Sequence, residues 1–129
     1  MSDPIPIETD GAPSTDNPYS QGIRAGDTLY VSGYGPVDPE TGAVVDGNIE
    51  AQTEQVLENI AAVVSEAGGD GLGDVVKVTV YLTDLEDYER VNEAYGAQFG
   101  DEPPARVCVE VSRLPEDVRV ELDATAYLG

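Results

Sequence analysis

The chain has 129 residues, a length that fits one domain (1–129) around one hydrophobic core. Asp and Glu number 26 against 6 Lys and Arg, a net charge of −20, so a phosphate backbone is repelled and nucleic acid is excluded as a partner. There is no His and only one Cys, which excludes Ser-His-Asp and Cys-His nucleophiles, the usual zinc sites and any internal disulfide.

From the N-terminus, residues 1–17 are rich in Pro, Thr, Ser and Asp and predict an extended arm with a short strand at Ile5–Ile7. Ile23–Ala25 and Thr28–Tyr34 predict two strands joined by a turn at Gly26-Asp27, a strong hairpin signal. Pro36 to Gly47 is a loop, marked by Asp38-Pro39-Glu40-Thr41-Gly42 and by Asp46-Gly47. From Ile49, apolar residues recur at helical spacing through Val56, Ile60, Val63 and Ala67, with Glu50, Glu54 and Glu58 on the other side. Gly68-Gly69 ends this helix. Val75–Leu82 alternates, with Val76, Val78, Val80 and Leu82 on one face, as a half-buried strand does. Asp84 is placed to cap a second helix of about Leu85 to Phe99, with Asp87 three residues on. Its inner stripe is Leu85, Tyr88, Val91, Asn92, Tyr95 and Phe99. Ala105–Val111 and Val118–Tyr127 predict two closing strands, linked around Leu114-Pro115-Glu116-Asp117.

The order β-β-α-β-α-β-β, with a short strand before it, predicts an α+β subunit with two helices over one face of a mixed sheet. The other face stays bare in a monomer. A core built mostly from Val and Ala, with one Phe and no Trp, makes burial at an oligomer interface valuable. A hairpin of the last two strands sets Arg106 across from Glu121 to Asp123. Alternation then gathers Arg106, Cys108, Glu121 and Asp123 on the open face, with Tyr30 and Ser32. From the residues alone, Arg106 with Glu121 reads either as a structural ion pair or as part of a site. Cys108 reads as a quiet buried thiol rather than a nucleophile.

The acids are scattered and form no tail, which points to a surface adapted to high salt. At about 1 M ionic strength the Debye length is roughly 3 Å, so such a surface repels itself little. A halophile that accumulates salt is the expected source. No apolar run approaches the length of a membrane span, and Met1 to Asp10 lacks the basic start and apolar centre of a signal peptide. The expected location is the cytoplasm. No Walker loop or calcium-loop spacing occurs, and Gly33-Tyr34-Gly35 runs into Pro36 and a loop, so the dinucleotide fingerprint fails. No metal or organic cofactor is expected.

Eight stretches, in order, carry a resemblance that covers about Asn17 to Tyr127. They are Pro18-Tyr19-Ser20-Gln21, Val31-Ser32-Gly33, Asp38-Pro39-Glu40-Thr41-Gly42, Glu50-Ala51-Gln52-Thr53, the strand Val75–Leu82, Val91-Asn92, Pro104-Ala105-Arg106-Val107-Cys108-Val109-Glu110, and Val120-Glu121-Leu122. Together they resemble the RidA/YjgF/UK114 family of reactive intermediate deaminases. The resemblance implies a chorismate-mutase-like subunit, a homotrimer with active sites in the clefts between subunits, and hydrolysis of 2-imino acids to 2-keto acids and ammonia. It implies that Arg106 holds the substrate carboxylate, that Glu121 positions or activates water, and that Tyr19, Ser32, Asn92 and Cys108 line the site. Two positions depart from the family pattern: Tyr34-Gly35 after Gly33, which is expected to reshape the pocket wall, and Asn17 before Pro18. A non-catalytic trimer that binds small carboxylates or senses metabolites is the alternative.

Overall fold

The computed structural model describes residues 3–129, so the first two residues of the expected arm lie outside it. The strands are β1 (Ile5–Ile7), β2 (Gly22–Ala25), β3 (Thr28–Tyr34), β4 (Val75–Leu82), β5 (Ala105–Glu110) and β6 (Val120–Tyr127). The helices are α1 (Ile49–Glu66) and α2 (Tyr88–Phe99). The strands form one mixed sheet in the order β1-β2-β3-β6-β4-β5. Every pairing is antiparallel except β4 with β5.

Local chemistry sets the boundaries. The β2–β3 turn pairs Ala25 with Thr28, and Gly26 takes the left-handed conformation that this tight turn requires (φ 62°). Asn48 caps α1, its side chain accepting from the Ala51 amide at 2.9 Å. At the other end the Gly68 and Gly69 amides donate back to Ser65 and Val64. Gly68 has φ 98°, so this is a Schellman stop of the kind glycine permits. The second helix starts later than its pattern suggests. Asp84 accepts from the Glu86 amide and caps a single 3-10 turn, Leu85–Asp87, before α2 begins at Tyr88.

Both helices pack on one sheet face. The core is Leu29 and Val31 of β3, Val78, Val80 and Leu82 of β4, and Val120, Leu122, Ala124 and Ala126 of β6, closed by Ile49, Val56, Leu57, Ile60, Val63 and Val64 of α1 and Val91 of α2. The opposite face is bare and carries exposed Tyr30, Val107, Val109 and Tyr127. One strand departs from its expected alternation. A bulge between Val75 and Lys77 turns Val75 into the core and leaves Val76 exposed.

Candidate active site

Glu121 lies on the bare face, between Tyr81 of β4 and the β3 strand. Space for its carboxylate exists because residue 33 is glycine: a Cβ there would stand 2.8 Å from Glu121 Oε2. The carboxyl borders a cleft of about 350 Å³ whose walls include Tyr19, Gly33, Gly35, Glu116 and Val118. Burial pushes the Glu121 carboxyl above the usual carboxylate range, and Asp123 adds to this. The Tyr19 phenol is raised by burial, then by Glu116 and Glu121. Beside this cleft, Glu116 and Asp117 both hold left-handed backbone (φ 62° and 55°). Non-glycine residues pay for that conformation, and such strain gathers at working sites.

Two side chains that the sequence pattern did not single out as site residues hold the segments that wall the cleft from behind. Gln21 is buried and clamps the N-terminal arm: its Oε1 accepts from the Thr9 amide at 2.7 Å, and its Nε2 lies 3.0–3.1 Å from the carbonyl oxygens of Thr9, Ala12 and Pro13. Asn59, fully buried in α1, donates to the carbonyls of Val37 (2.9 Å) and Gly35 (3.3 Å) on the other wall. Ser32 donates to the Ser20 carbonyl at 2.6 Å, so it braces the Tyr19 loop. Gln21 sits inside the Pro18-Tyr19-Ser20-Gln21 stretch. Asn59 is a polar residue on the inner stripe of α1, and that was its available signal.

Arg106 lies elsewhere. It pairs in register with Val78, and Cys108 with Val80, so both side chains lie on the helix-covered face at the edge strand β5. The Arg106 guanidinium sits over the Tyr95 ring at 4.9 Å and the Tyr88 ring at 5.6 Å, within cation–π range. Its Nη2 donates to the Tyr88 hydroxyl at 3.2 Å. Asn92 shares the α2 stripe with Tyr88 and Tyr95, and its Oδ1 is buried with no hydrogen-bond partner among the described residues. Burial raises the Cys108 thiol although Arg106 pulls it down, so a ready thiolate is not present.

The expected hairpin and the cluster built on it are corrected here. The last two strands do not form a hairpin: β4 lies between β5 and β6, and β5 runs parallel to β4 after the α2 crossover. Arg106 and Cys108 therefore face the helices, and Val107 and Val109 (46 and 38 % exposed) take the open face instead. Within one chain Arg106 and Glu121 lie on opposite sheet faces and form neither an ion pair nor a common cleft. Of the Tyr34-Gly35 pair that departs from the family pattern, Gly35 borders the cleft and Tyr34 does not. A register shift between Val31 and Tyr34 turns it inward, where it is buried and donates to the Pro13 carbonyl at 3.4 Å.

No group of three or more His, Cys, Asp or Glu side chains that could hold a metal ion occurs among the described residues, and no described helix is long and apolar enough to cross a membrane.

The sequence pattern of the endoribonuclease L-PSP family matches residues 9–128. A RutC family protein of Pyrococcus horikoshii is 54% identical over 121 residues, covering 94% of this chain and 95% of that protein. The 2-iminobutanoate/2-iminopropanoate deaminase of Salmonella typhimurium is 48% identical over 123 residues, covering 93% of this chain and 94% of that protein. Among solved structures, Escherichia coli TdcF with bound serine superposes with a TM-score of 0.90 at 39% identity, covering 97% of this chain and 99% of TdcF.

Proposed function

The chain belongs to the endoribonuclease L-PSP family, the RidA/YjgF group, and we propose that it hydrolyses small 2-imino acids such as 2-iminopropanoate and 2-iminobutanoate to 2-keto acids and ammonia. The observation that carries this reading is the state of Arg106. In a chain with 26 acids, its guanidinium forms no salt bridge within 4.0 Å with any described carboxylate. It is held by the Tyr88 and Tyr95 rings and by the Tyr88 hydroxyl, with its charge open to an incoming anion. A guanidinium grips a carboxylate through two parallel hydrogen bonds.

The reaction adds water across a C=N bond. Water attacks the electrophilic carbon next to the bound carboxylate. The resulting carbinolamine loses ammonia once its nitrogen is protonated, leaving the keto acid. A carboxyl in the raised state of Glu121 serves both halves of this sequence. As carboxylate it orients the water and takes its proton; as acid it delivers a proton to the leaving nitrogen. Such acid–base work is worth about 10²–10⁴-fold in rate. Tyr19 and Ser32 brace the Glu121 side, and the unpartnered Asn92 Oδ1 is suited to accept a hydrogen bond from the substrate nitrogen.

Because Arg106 and Glu121 sit on opposite faces of one sheet, one chain does not supply both to one substrate. We infer that a second copy completes the site and that the bare face, with Tyr30, Val107, Val109 and Tyr127, is where copies meet, as a homotrimer. The role is protective: enamine tautomers of these imines attack pyridoxal-phosphate enzymes in the cytoplasm. The acidic surface fits a salt-rich interior. It also repels RNA, which disfavours the nuclease activity that the family name carries.

The test generates the imine with an amino-acid oxidase in high salt and follows its loss. Wild type accelerates the loss, Arg106→Ala abolishes the acceleration and Glu121→Ala impairs it severely. Equal rates for wild type and Arg106→Ala overturn the reading. The bound serine of TdcF favours a second reading, a carboxylate-binding protein without turnover. Ligand-dependent melting shifts with no acceleration would select it.

A further inference from the structure

We propose that Tyr88 is a substrate-binding residue whose hydroxyl donates to the carboxylate gripped by Arg106. The inference rests on Arg106 as the carboxylate anchor and adds a third donor to it.

The geometry assigns this role through the direction of one hydrogen bond. Arg106 Nη2 donates to the Tyr88 oxygen at 3.2 Å, because a guanidinium has no lone pair to offer. The phenol proton is thereby left pointing away from the cation, and no described acceptor takes it. An O–H whose oxygen already accepts from a cation is polarised and donates more strongly. An anion seated on the guanidinium fork lies beside that proton.

The placement also fits a binding rather than a packing role. Tyr88 is 39 % exposed and the Arg106 side chain is only half-buried, so a small ligand reaches both. Tyr95 below them is 4 % exposed and stacks on Phe99 with ring centroids 4.6 Å apart, which makes it a fixed floor. The guanidinium lies over both tyrosine rings, so its plane is set before a ligand arrives. Tyr88 therefore combines a ring that orients Arg106 with a hydroxyl free to act on what Arg106 binds. The class of ligand selected is a small monocarboxylate with its carboxylate end accessible.

Tyr88→Phe removes one oxygen atom at an exposed position and leaves the ring stack in place, so folding is not at stake. The experiment measures binding of 2-oxobutanoate to the full chain in high salt by calorimetry, and KM and kcat for imine hydrolysis, in wild type, Tyr88→Phe and Arg106→Ala. A hydrogen bond to a charged group corresponds to about a tenfold change in Kd. The expected result is that Tyr88→Phe raises Kd and KM by about tenfold and leaves kcat within about twofold, while Arg106→Ala abolishes binding. If Tyr88→Phe binds like wild type and Arg106→Ala does not bind, the Tyr88 proposal is overturned and the Arg106 anchor stands. If Arg106→Ala still binds 2-oxobutanoate like wild type, the anchor itself is wrong and the Tyr88 proposal falls with it. A loss in kcat alone for Tyr88→Phe also overturns it, because a ground-state carboxylate contact acts on KM.

Discussion

The Glu121 carboxylate occupies the space that a side chain at position 33 would need, with Oε2 2.8 Å and Cδ 3.1 Å from where a Cβ would stand. The obstructing atoms are the far end of a flexible side chain, so Gly33→Ala has a cheap escape: Glu121 swings away. The expected outcome is a stability loss under about 1 kcal/mol with a fall in kcat of at least tenfold, since misplacing a catalytic group by about 1 Å costs up to roughly 10²-fold. Thermal melting beside imine-hydrolysis kinetics checks both halves. An unchanged kcat would separate Glu121 from the chemistry.

Glu121→Gln separates catalysis from stability. The folded carboxyl is raised above its unfolded value by burial and Asp123, so the folded state keeps a proton that the unfolded chain releases. Stability linked to this group is full below the unfolded value of about 4.3 and falls as pH rises through the folded one. At neutral pH the ionised side chain is a cost, and the amide removes it. Calorimetry is expected to give Glu121→Gln a higher Tm than wild type near pH 7, a gap closing toward about pH 4, and activity reduced by about 10²-fold or more.

Gln21→Leu tests the arm clamp. The change takes the Gln21 partner from the Thr9 amide and from the Thr9 and Ala12 carbonyls, while Pro13 keeps the Tyr34 hydroxyl; a buried group left without a partner costs about 1–3 kcal/mol. Limited proteolysis is expected to cut faster between residues 9 and 17, and kcat/KM to fall because the Tyr19 side of the cleft loses its wall. Unchanged protection of that segment would assign the arm's order to other contacts.

Much of the fold was readable as periodicity and punctuation. The glycine turn at Gly26, the α1 stripe with its glycine stop, and the two-helices-on-one-face layout follow from local pattern. What failed was non-local. Sequence neighbours β5 and β6 read as a hairpin, but the strand–helix–strand run β4–α2–β5 is a crossover unit that places β5 parallel to β4. That one exchange moves Arg106 to the helix side. Val76 failed for a second reason: it lies at a bulge, where one extra residue inverts the alternation. Arg106 and Glu121 were singled out by resemblance together with their unusual chemistry, and no spacing rule could have told that they face apart. Gln21 and Asn59 show their role only when the carbonyls they serve are seen.

The charge of −20 leads to a prediction that needs no substrate. Raising KCl from about 0.1 to about 3 M shortens the Debye length from about 10 Å to under 3 Å and removes most self-repulsion. Tm is expected to climb by roughly 10 °C or more across that range. A flat profile would remove the case for a salt-adapted surface.

In the proposed trimer one copy supplies Arg106 and another supplies Glu121. Subunits carrying Arg106→Ala are expected to be inactive alone, and subunits carrying Glu121→Ala severely impaired. Mixed in equal amounts and reassembled in high salt, they are expected to regain about one quarter of wild-type activity, because random cyclic assembly pairs an intact Arg106 with a neighbouring intact Glu121 at about one site in four. Activity no higher in the reassembled mixture than in either variant alone would contradict the shared site.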